Sequence, residues 1–425
     1  MILSAKLHAK LRVYININSK GELAMNYYLS IAGIYLTSFF YLHACFNFDQ
    51  LPQAVITVPV ADAVMRRMGE CNIQGYYDLP YAEIIDSEAE ICERGYQLLF
   101  NERVGIIERQ GDEVRVCVPH IYYQPARAEK PLSSYWMLAS NLTLLSELER
   151  NNCVTSLFPT VKHVDSAAVI THEIALRYPW SYKGVTYSAG TRFTILNEHD
   201  DVIVINVFNN NECAWEQAEI PVDVCVVAKD RSIEESISLM LTIVHSWAHC
   251  TYGVIPYVWG GASFTHVVKD EQYIIKRSGI TFIPDREEVE YPKTGFDCSC
   301  IISRAAQLCN LPYWWGDSVT IQLHGIPVTK EKGIRAGDII WIPGHVMMVS
   351  DIDNGLLIEA RGYGSGYGKV HEISISEIFE GIDNYQDLFA AFEQQLPLAV
   401  LNSQGQVRRV YKEACIFDLR ASLGC

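Results

Sequence analysis

The sequence is short of positive charge. Its 34 Lys and Arg stand against 50 Asp and Glu in 425 residues, a formal net charge of −16 at pH 7. That deficit argues against a nucleic-acid binder, which carries a basic footprint. No CxxC pair and no His-rich tract offers zinc ligands at a usual spacing, so neither a metal nor a cofactor is expected. The 13 cysteines are odd in number and scattered along a long chain, which is not a disulfide framework. No repeat with a period of roughly 20–50 residues recurs. A phosphate loop is also lacking: the run Gly362–Gly368 is followed by neither a helix nor a Lys-Ser/Thr pair, and reads as a flexible loop at a cleft rim. Asp351–Gly355 lacks the rest of a calcium-loop pattern and reads as a hairpin turn.

Apolar residues are plentiful. At 49% hydrophobic, with a mean hydropathy of +0.06, the chain can bury a substantial core, and its length suggests about three domains. Residues Asn26–Ala44 form an uncharged run preceded by Lys6, Lys10, Arg12 and Lys20 and followed by Cys45. Residues 1–44 read as a secretory leader, with a faint lipoprotein box at Leu42–Cys45 and a lipid anchor as one outcome. Two alternatives stay open: a buried first element of a cytosolic protein working in wall-peptide recycling, and a true start at Met25.

Short β-branched runs follow. Val55–Val58, Arg103–Ile107 and Glu113–Val118, separated by turn residues, predict a small all-β unit over 55–150. A second spans 160–229, with Tyr187–Phe193 and Val202–Val207 as its strands. The pattern changes near Asp230. Ser232–His249 reads as an amphipathic helix with Ile233, Ile237, Leu241 and Val244 on one stripe. Mixed helices and strands continue to 397, and 398–425 reads as a tail.

The chemistry concentrates in the mixed region. Gly295-Phe296-Asp297-Cys298-Ser299 precedes a helical stripe of Ile301, Ala305 and Leu308 that Asn310 and Pro312 end, so Cys298 is expected in the first helical turn. Unpaired amides there favour a thiolate. Ile339–Ile342 and His345–Val349 read as neighbouring strands turned by Pro343-Gly344. A thiol at a helix start and a histidine opening a strand are the parts of a Cys–His nucleophile pair. Taken singly, each residue is better explained by ordinary core packing. Trp314 and Trp315 read as packing residues.

Four blocks in this order, Pro256–Gly261, Phe296–Ser299, Gly337–Ile340 and Gly344–Val346, resemble the NlpC-type peptidoglycan endopeptidases, papain-like cysteine peptidases. The β-rich stretch is similar to the bacterial SH3-type barrels that precede this domain in one subgroup, through Tyr187–Phe193 and Gln97–Glu102. The resemblance implies an α+β fold: a papain-like catalytic domain over 230–397 behind one or two small all-β barrels. It implies hydrolysis of the γ-D-glutamyl–diamino acid bond in wall stem peptides with a free N-terminal L-Ala, in the periplasm or cell envelope. By resemblance Cys298 is the nucleophile, His345 the general base and Glu359 the third catalytic residue. Tyr257 stands near the thiol. Asp297 and Ser299 hold the amine end and backbone of the substrate, and Ser318 matches the serine of the block after the helix. Glu102 and Tyr135, from the first β unit, match positions that close the pocket over L-Ala.

Three departures from the family pattern stand out. Cys300 replaces a usual glycine. Phe264–Thr294 is an insertion carrying Asp270, Glu271, Asp285, Glu287, Glu288 and Glu290, either a lid or a solvated loop. Glu359 replaces the usual third histidine, and a carboxylate can orient an imidazole equally well. An acyltransferase or amidase of the same fold and a non-catalytic wall-binding protein are the competing expectations. A strict two-residue turn at Asn354-Gly355 would put Glu359 on the face opposite His345, whereas a loop centred on Asp353 puts it opposite Met347, on the face of His345.

Overall fold

The computed structural model describes residues 48–67, 94–122, 134–161, 172–251, 253–268 and 293–424. The leader 1–44 and the six acidic residues of the insertion lie outside the described residues.

The first β unit is a seven-stranded antiparallel sheet. It comprises β1 (Gln53–Ile56), β2 (Val60–Val64), β3 (Arg94–Leu99), β4 (Arg103–Gln110), β5 (Glu113–Cys117), β6 (Ser134–Leu138) and β7 (Leu142–Leu144), in the order β3-β2-β6-β5-β4-β1-β7. Helix α1 (Leu145–Arg150) leaves it. The second unit holds β8 (Glu173–Leu176), the hairpin β9 (Trp180–Tyr182) and β10 (Val185–Tyr187), then β11 (Arg192–Glu198), β12 (Val202–Asn209), β13 (Ala214–Pro221) and β14 (Cys225–Val227). Its five-stranded sheet runs β13-β12-β11-β8-β14. The two units share apolar contacts: Val55, Phe100 and Leu145 of the first pack with Ile174, Phe193 and Ile205 of the second.

Helix α2 (Ile233–Ala248) starts where the sequence pattern changes. Ser232 and Glu235 form a reciprocal capping box, the Ser232 hydroxyl accepting from the Glu235 amide and the Glu235 carboxylate from the Ser232 amide. Strands β15 (Ala262–Ser263) and β16 (Gly295–Phe296) pair and bracket the insertion, so its two ends leave side by side. Helix α3 (Cys300–Leu308) follows. Its last turn closes through Asn310 at φ +58° and a bond from the Leu311 amide to the Ala306 carbonyl. After α4 (Ser318–His324) come β17 (Ile339–Ile342), β18 (His345–Asp351), β19 (Leu356–Arg361), β20 (Lys369–Ser374), α5 (Ile375–Ile378), α6 (Tyr385–Glu393), the hairpin β21 (Leu398–Leu401) and β22 (Val407–Tyr411), β23 (Cys415–Phe417) and α7 (Leu419–Ser422).

The catalytic-region sheet has the order β20-β19-β18-β17-β23. One face, with Trp341, Val346, Met348, Ile358 and Val370, packs on α2 and α3. The other, with Ile340, Met347, Val349, Leu357 and Ile373, is covered by α5, α6 and β21. This α+β layering matches the expected fold class. The expected boundary at 397 is wrong: β23 pairs with β17 as the edge strand, and the Leu419 amide bonds to buried Asp338. Residues 398–424 are part of the same unit as this sheet. Their strand is too short to read as one before its partner is known. The Gly362–Gly368 run is also better anchored than expected, forming a short 3-10 turn with Tyr363 and Ser365 buried and the Ser403 amide bonded to the Ser365 carbonyl. Trp315 and Tyr313 are buried, while Trp314 stands edge-on to Tyr122 of the first β unit. Among the described residues no helix is long and apolar enough to cross a membrane.

Helix α3 is buried on nearly all sides, which forces a polar solution at Arg304, 1% exposed. Its Nε donates to the Ala262 carbonyl at 2.8 Å, Nη1 to Glu102 at 2.6 Å and Gln307 at 2.9 Å, and Nη2 to the Gln97 carbonyl at 2.9 Å. The guanidinium also lies over the Tyr96 ring. A buried charge is tolerated only when paired and hydrogen-bonded in this way. Arg304→Met leaves Glu102 without its main partner and is expected to cost about 3–5 kcal/mol of unfolding free energy in urea titrations. Adding Glu102→Leu should recover part of it. Equal stability of the wild type and the single variant would remove this pair from the account.

Candidate active site

The three predicted catalytic side chains come from three adjacent elements. Cys298 follows Asp297 at the start of α3, and the Ile301 amide bonds to the Asp297 carbonyl, so Cys298 takes the first helical position as expected. Asp297 caps the helix: its Oδ1 accepts from the Ser299 amide at 3.0 Å and the Cys300 amide at 2.7 Å. The loop before β15 approaches closely enough that a Cβ on Gly260, at φ +64°, would stand 2.3 Å from the Arg94 carbonyl. That glycine seats the Tyr257–Gly261 block against β3.

His345 is placed by a tight hairpin. Ile342 pairs with His345, and Gly344 at φ +81° follows Pro343, the requirement of a type II turn. Met348 pairs with Ile358, so the same register extended by one puts Glu359 opposite Met347. A bulge at Ser350 absorbs the mismatch with the Asp351–Gly355 turn. Of the two registers open to the sequence, this one puts Glu359 on the face of His345. The His345 Nε2 lies 2.5 Å from Glu359 Oε2. A carboxylate only accepts, so Nε2 carries the proton and Nδ1 of the neutral ring keeps a lone pair.

Glu359 is almost completely buried and serves three partners. Its other oxygen lies 3.1 Å from His371 Nε2 and 3.4 Å from Arg361 Nη1. Burial alone would push this carboxyl up. Arg361, then the hydrogen bonds from His345 and His371, overcome that and hold it well below the usual carboxylate range. His371 and Arg361 were missed in the sequence. Arg361 is two residues from Glu359 on one strand face, a detectable signal, whereas His371 is its cross-strand partner and needs the β19–β20 register.

Cys298 is half-buried, with fully buried Cys300 and Cys309 as neighbours in sequence. Burial, then the Asp297 carboxylate and more weakly Glu359, push its thiol up, while backbone hydrogen bonds at Val346 and Ser299 oppose them. The backbone bond at Val346 puts the sulfur beside the residue that follows His345. The site therefore does not favour a free thiolate. Ionisation of Cys298 requires a nearby cation.

The substrate positions divide. Tyr257 is buried with Cys298 against the same apolar cluster. Ser299 Oγ lies 3.0 Å from Asp297 Oδ1 and 3.0 Å from the Gly316 carbonyl, tying the helix start to the following loop. Ser318 opens α4, which Asp317 caps. Tyr135 is buried in the core of the first β unit alongside Cys300. Glu102 is tied to Arg304, which lies six residues along the chain from Cys298 and takes its Oε1, while the Leu99 amide donates to its Oε2. Arg304, itself hidden in a helical stripe, could not be paired with Glu102 from sequence.

No family model matches the chain, and no curated protein matches it. Solved structures do. An NlpC/P60 family protein from Bacillus cereus aligns over 79% of this chain and 96% of its own at 17% identity, with a TM-score of 0.46. NlpC2 from Trichomonas vaginalis aligns over 77% and 94% at 15% identity and a TM-score of 0.29. The peptidoglycan hydrolase RipB from Mycobacterium tuberculosis aligns over 33% of this chain and 59% of its own, at 23% identity and a TM-score of 0.21.

The depressed Glu359 carboxyl has a signed consequence for stability. Its folded value lies below the unfolded 4.5, so its contribution is fully present above pH 4.5 and is lost as pH falls through the folded value. The gap in unfolding free energy between wild type and Glu359→Gln should be constant above pH 4.5 and shrink below it. A gap independent of pH down to the acid limit would show that Glu359 is not held ionised. Alkylation tests the thiol. Iodoacetamide should modify Cys298 in preference to Cys300 and Cys309, and His345→Ala should slow Cys298 alone by about tenfold or more. Unchanged labelling in that variant would uncouple the two residues.

Proposed function

We propose that the chain is a cysteine peptidase of bacterial cell-wall stem peptides, exported to the periplasm or envelope, that hydrolyses the γ-D-glutamyl–diamino acid bond. The observation that carries the chemistry is the His345–Glu359 contact at 2.5 Å beside the strand backbone that receives Cys298. The four sequence blocks that resemble the NlpC-type endopeptidases supply the substrate class, and the uncharged run Asn26–Ala44 supplies the compartment.

In this reading His345 Nδ1 takes the thiol proton, and the new thiolate–imidazolium pair is stabilised by ionised Glu359. The sulfur attacks the γ-carbonyl of D-Glu. Imidazolium then gives its proton to the departing amine of the diamino acid, leaving a thioacyl enzyme. Water, deprotonated by the same imidazole, attacks the thioester and returns free thiol and carboxylate. Glu359 remains an anion throughout and orients the ring, as Asp does in serine triads. Preference for a free L-Ala amine rests on Asp297, the carboxylate adjacent to Cys298.

Mass spectrometry of L-Ala-γ-D-Glu-diaminopimelate after incubation tests the reading. Wild type should release L-Ala-D-Glu and diaminopimelate, Cys298→Ala should lose at least on the order of 10³-fold in turnover, and Glu359→Gln on the order of 10²–10⁴-fold. A product heavier by an added amine or alcohol would mean acyl transfer, and intact peptide with wild type would overturn the proposal. The N-acetylated peptide should turn over about tenfold or more slowly than the free amine. Equal rates would remove Asp297 as an amine partner.

A further inference from the structure

The edge of the catalytic-region sheet carries a second group of convergent side chains, away from the face of Glu359. His245 in the last turn of α2 and His249 at its C-cap are spaced i, i+4, and their rings stand 4.4 Å apart. Both project to Glu372 of β20. Glu372 Oε2 lies 2.8 Å from His249 Nε2 and 3.7 Å from His245 Nε2. One donor atom from each of the three lies within 4.8 Å of the other two. The imidazoles are exposed, whereas the Glu372 side chain is only 8% exposed. Its other oxygen accepts a hydrogen bond from Ser350, at the β18 bulge. Among the described residues no Lys or Arg lies within ion-pair distance of this carboxylate.

We propose that His245, His249 and Glu372 form a binding site for one divalent transition-metal ion, Zn²⁺ foremost, which fastens the end of α2 to strand β20. Two imidazoles one helical turn apart present nitrogens on one face, the way helical zinc sites are built, and a carboxylate completes a His2Glu set with an open fourth position for water. Imidazole donors suit zinc, copper and nickel, and the absence of further oxygens disfavours calcium or magnesium. Ser350 holds the carboxylate from behind, as outer-shell partners orient ligating carboxylates. The expectation of no zinc ligands looked for cysteine pairs and His-rich tracts. It overlooked two histidines separated by a helical turn and a glutamate more than 120 residues away. Alternation along β20 turns His371 to Glu359 and Glu372 to α2, so the ion would brace the strand that carries His371 without joining the catalytic group.

The test uses the full chain without a polyhistidine tag, in a Cys298→Ala background so that the thiol cannot take the metal. Native mass spectrometry and calorimetry with Zn²⁺ should find one ion whose binding raises the unfolding midpoint. Adding His245→Ala and His249→Ala should abolish both the ion and the shift, and adding Ser350→Ala should weaken binding by about tenfold or more. No bound zinc, or the same stoichiometry and shift in the double-histidine variant, would overturn the site and leave a hydrogen-bonded His249–Glu372 pair. Neither result bears on the peptidase reading, because Cys298 is absent throughout.

Discussion

Everything at the thiol depends on a charge placed where water cannot reach. Arg304 sits inside the molecule on the helix that follows Cys298, and it is tolerated because the first β unit encloses it with the Gln97 carbonyl, the Glu102 carboxylate and the face of Tyr96. An apolar helix could slide on the β unit by a fraction of a turn at little cost. A guanidinium with its donors fixed to separate acceptors cannot, because any slide strands a buried donor. The helix start, and with it Cys298, inherits that register. This is a physical reason for the β units to be packed against the catalytic region rather than strung on linkers.

A second buried charge organises the other half of the site. Glu359 gathers His345, His371 and Arg361 on one sheet face. Arg361 keeps the carboxylate ionised despite its burial, so the imidazole of His345 has a permanent anion at Nε2. Across from it, burial and Asp297 make Cys298 a reluctant acid. In the proposed mechanism the two effects are complementary: a thiol that resists ionisation becomes a nucleophile only when His345 takes its proton.

The same sheet separates chemistry from scaffolding by simple alternation. Odd-numbered His345, Glu359 and His371 share one face, while Val346, Ile358, Val370 and Glu372 face α2. A one-residue slip anywhere in β18–β20 would exchange the two sets. The bulge at Ser350 and the turn at Gly344 hold that register, so they are as important to the site as the residues that would touch substrate.

Much of the fold is legible in the sequence itself. Short β-branched runs announced the β units, the stripe of Ile233, Ile237, Leu241 and Val244 announced α2, and Cys298 and His345 stood out through the four blocks that resemble the NlpC-type endopeptidases. These are local properties, encoded within a few residues of the group concerned. What the sequence left open was pairwise. Whether Glu359 lay opposite Met347 or Ser350 depended on the loop length chosen around Asp353. That Glu102 pairs with Arg304 depended on how a β unit packs on a helix about 200 residues later. The strand Cys415–Phe417 is too short to announce itself until β17 offers it a partner. Register and packing are decided by summed contacts between distant segments, and for that reason only the tertiary structure could assign His371 and the His245–His249–Glu372 group to their partners.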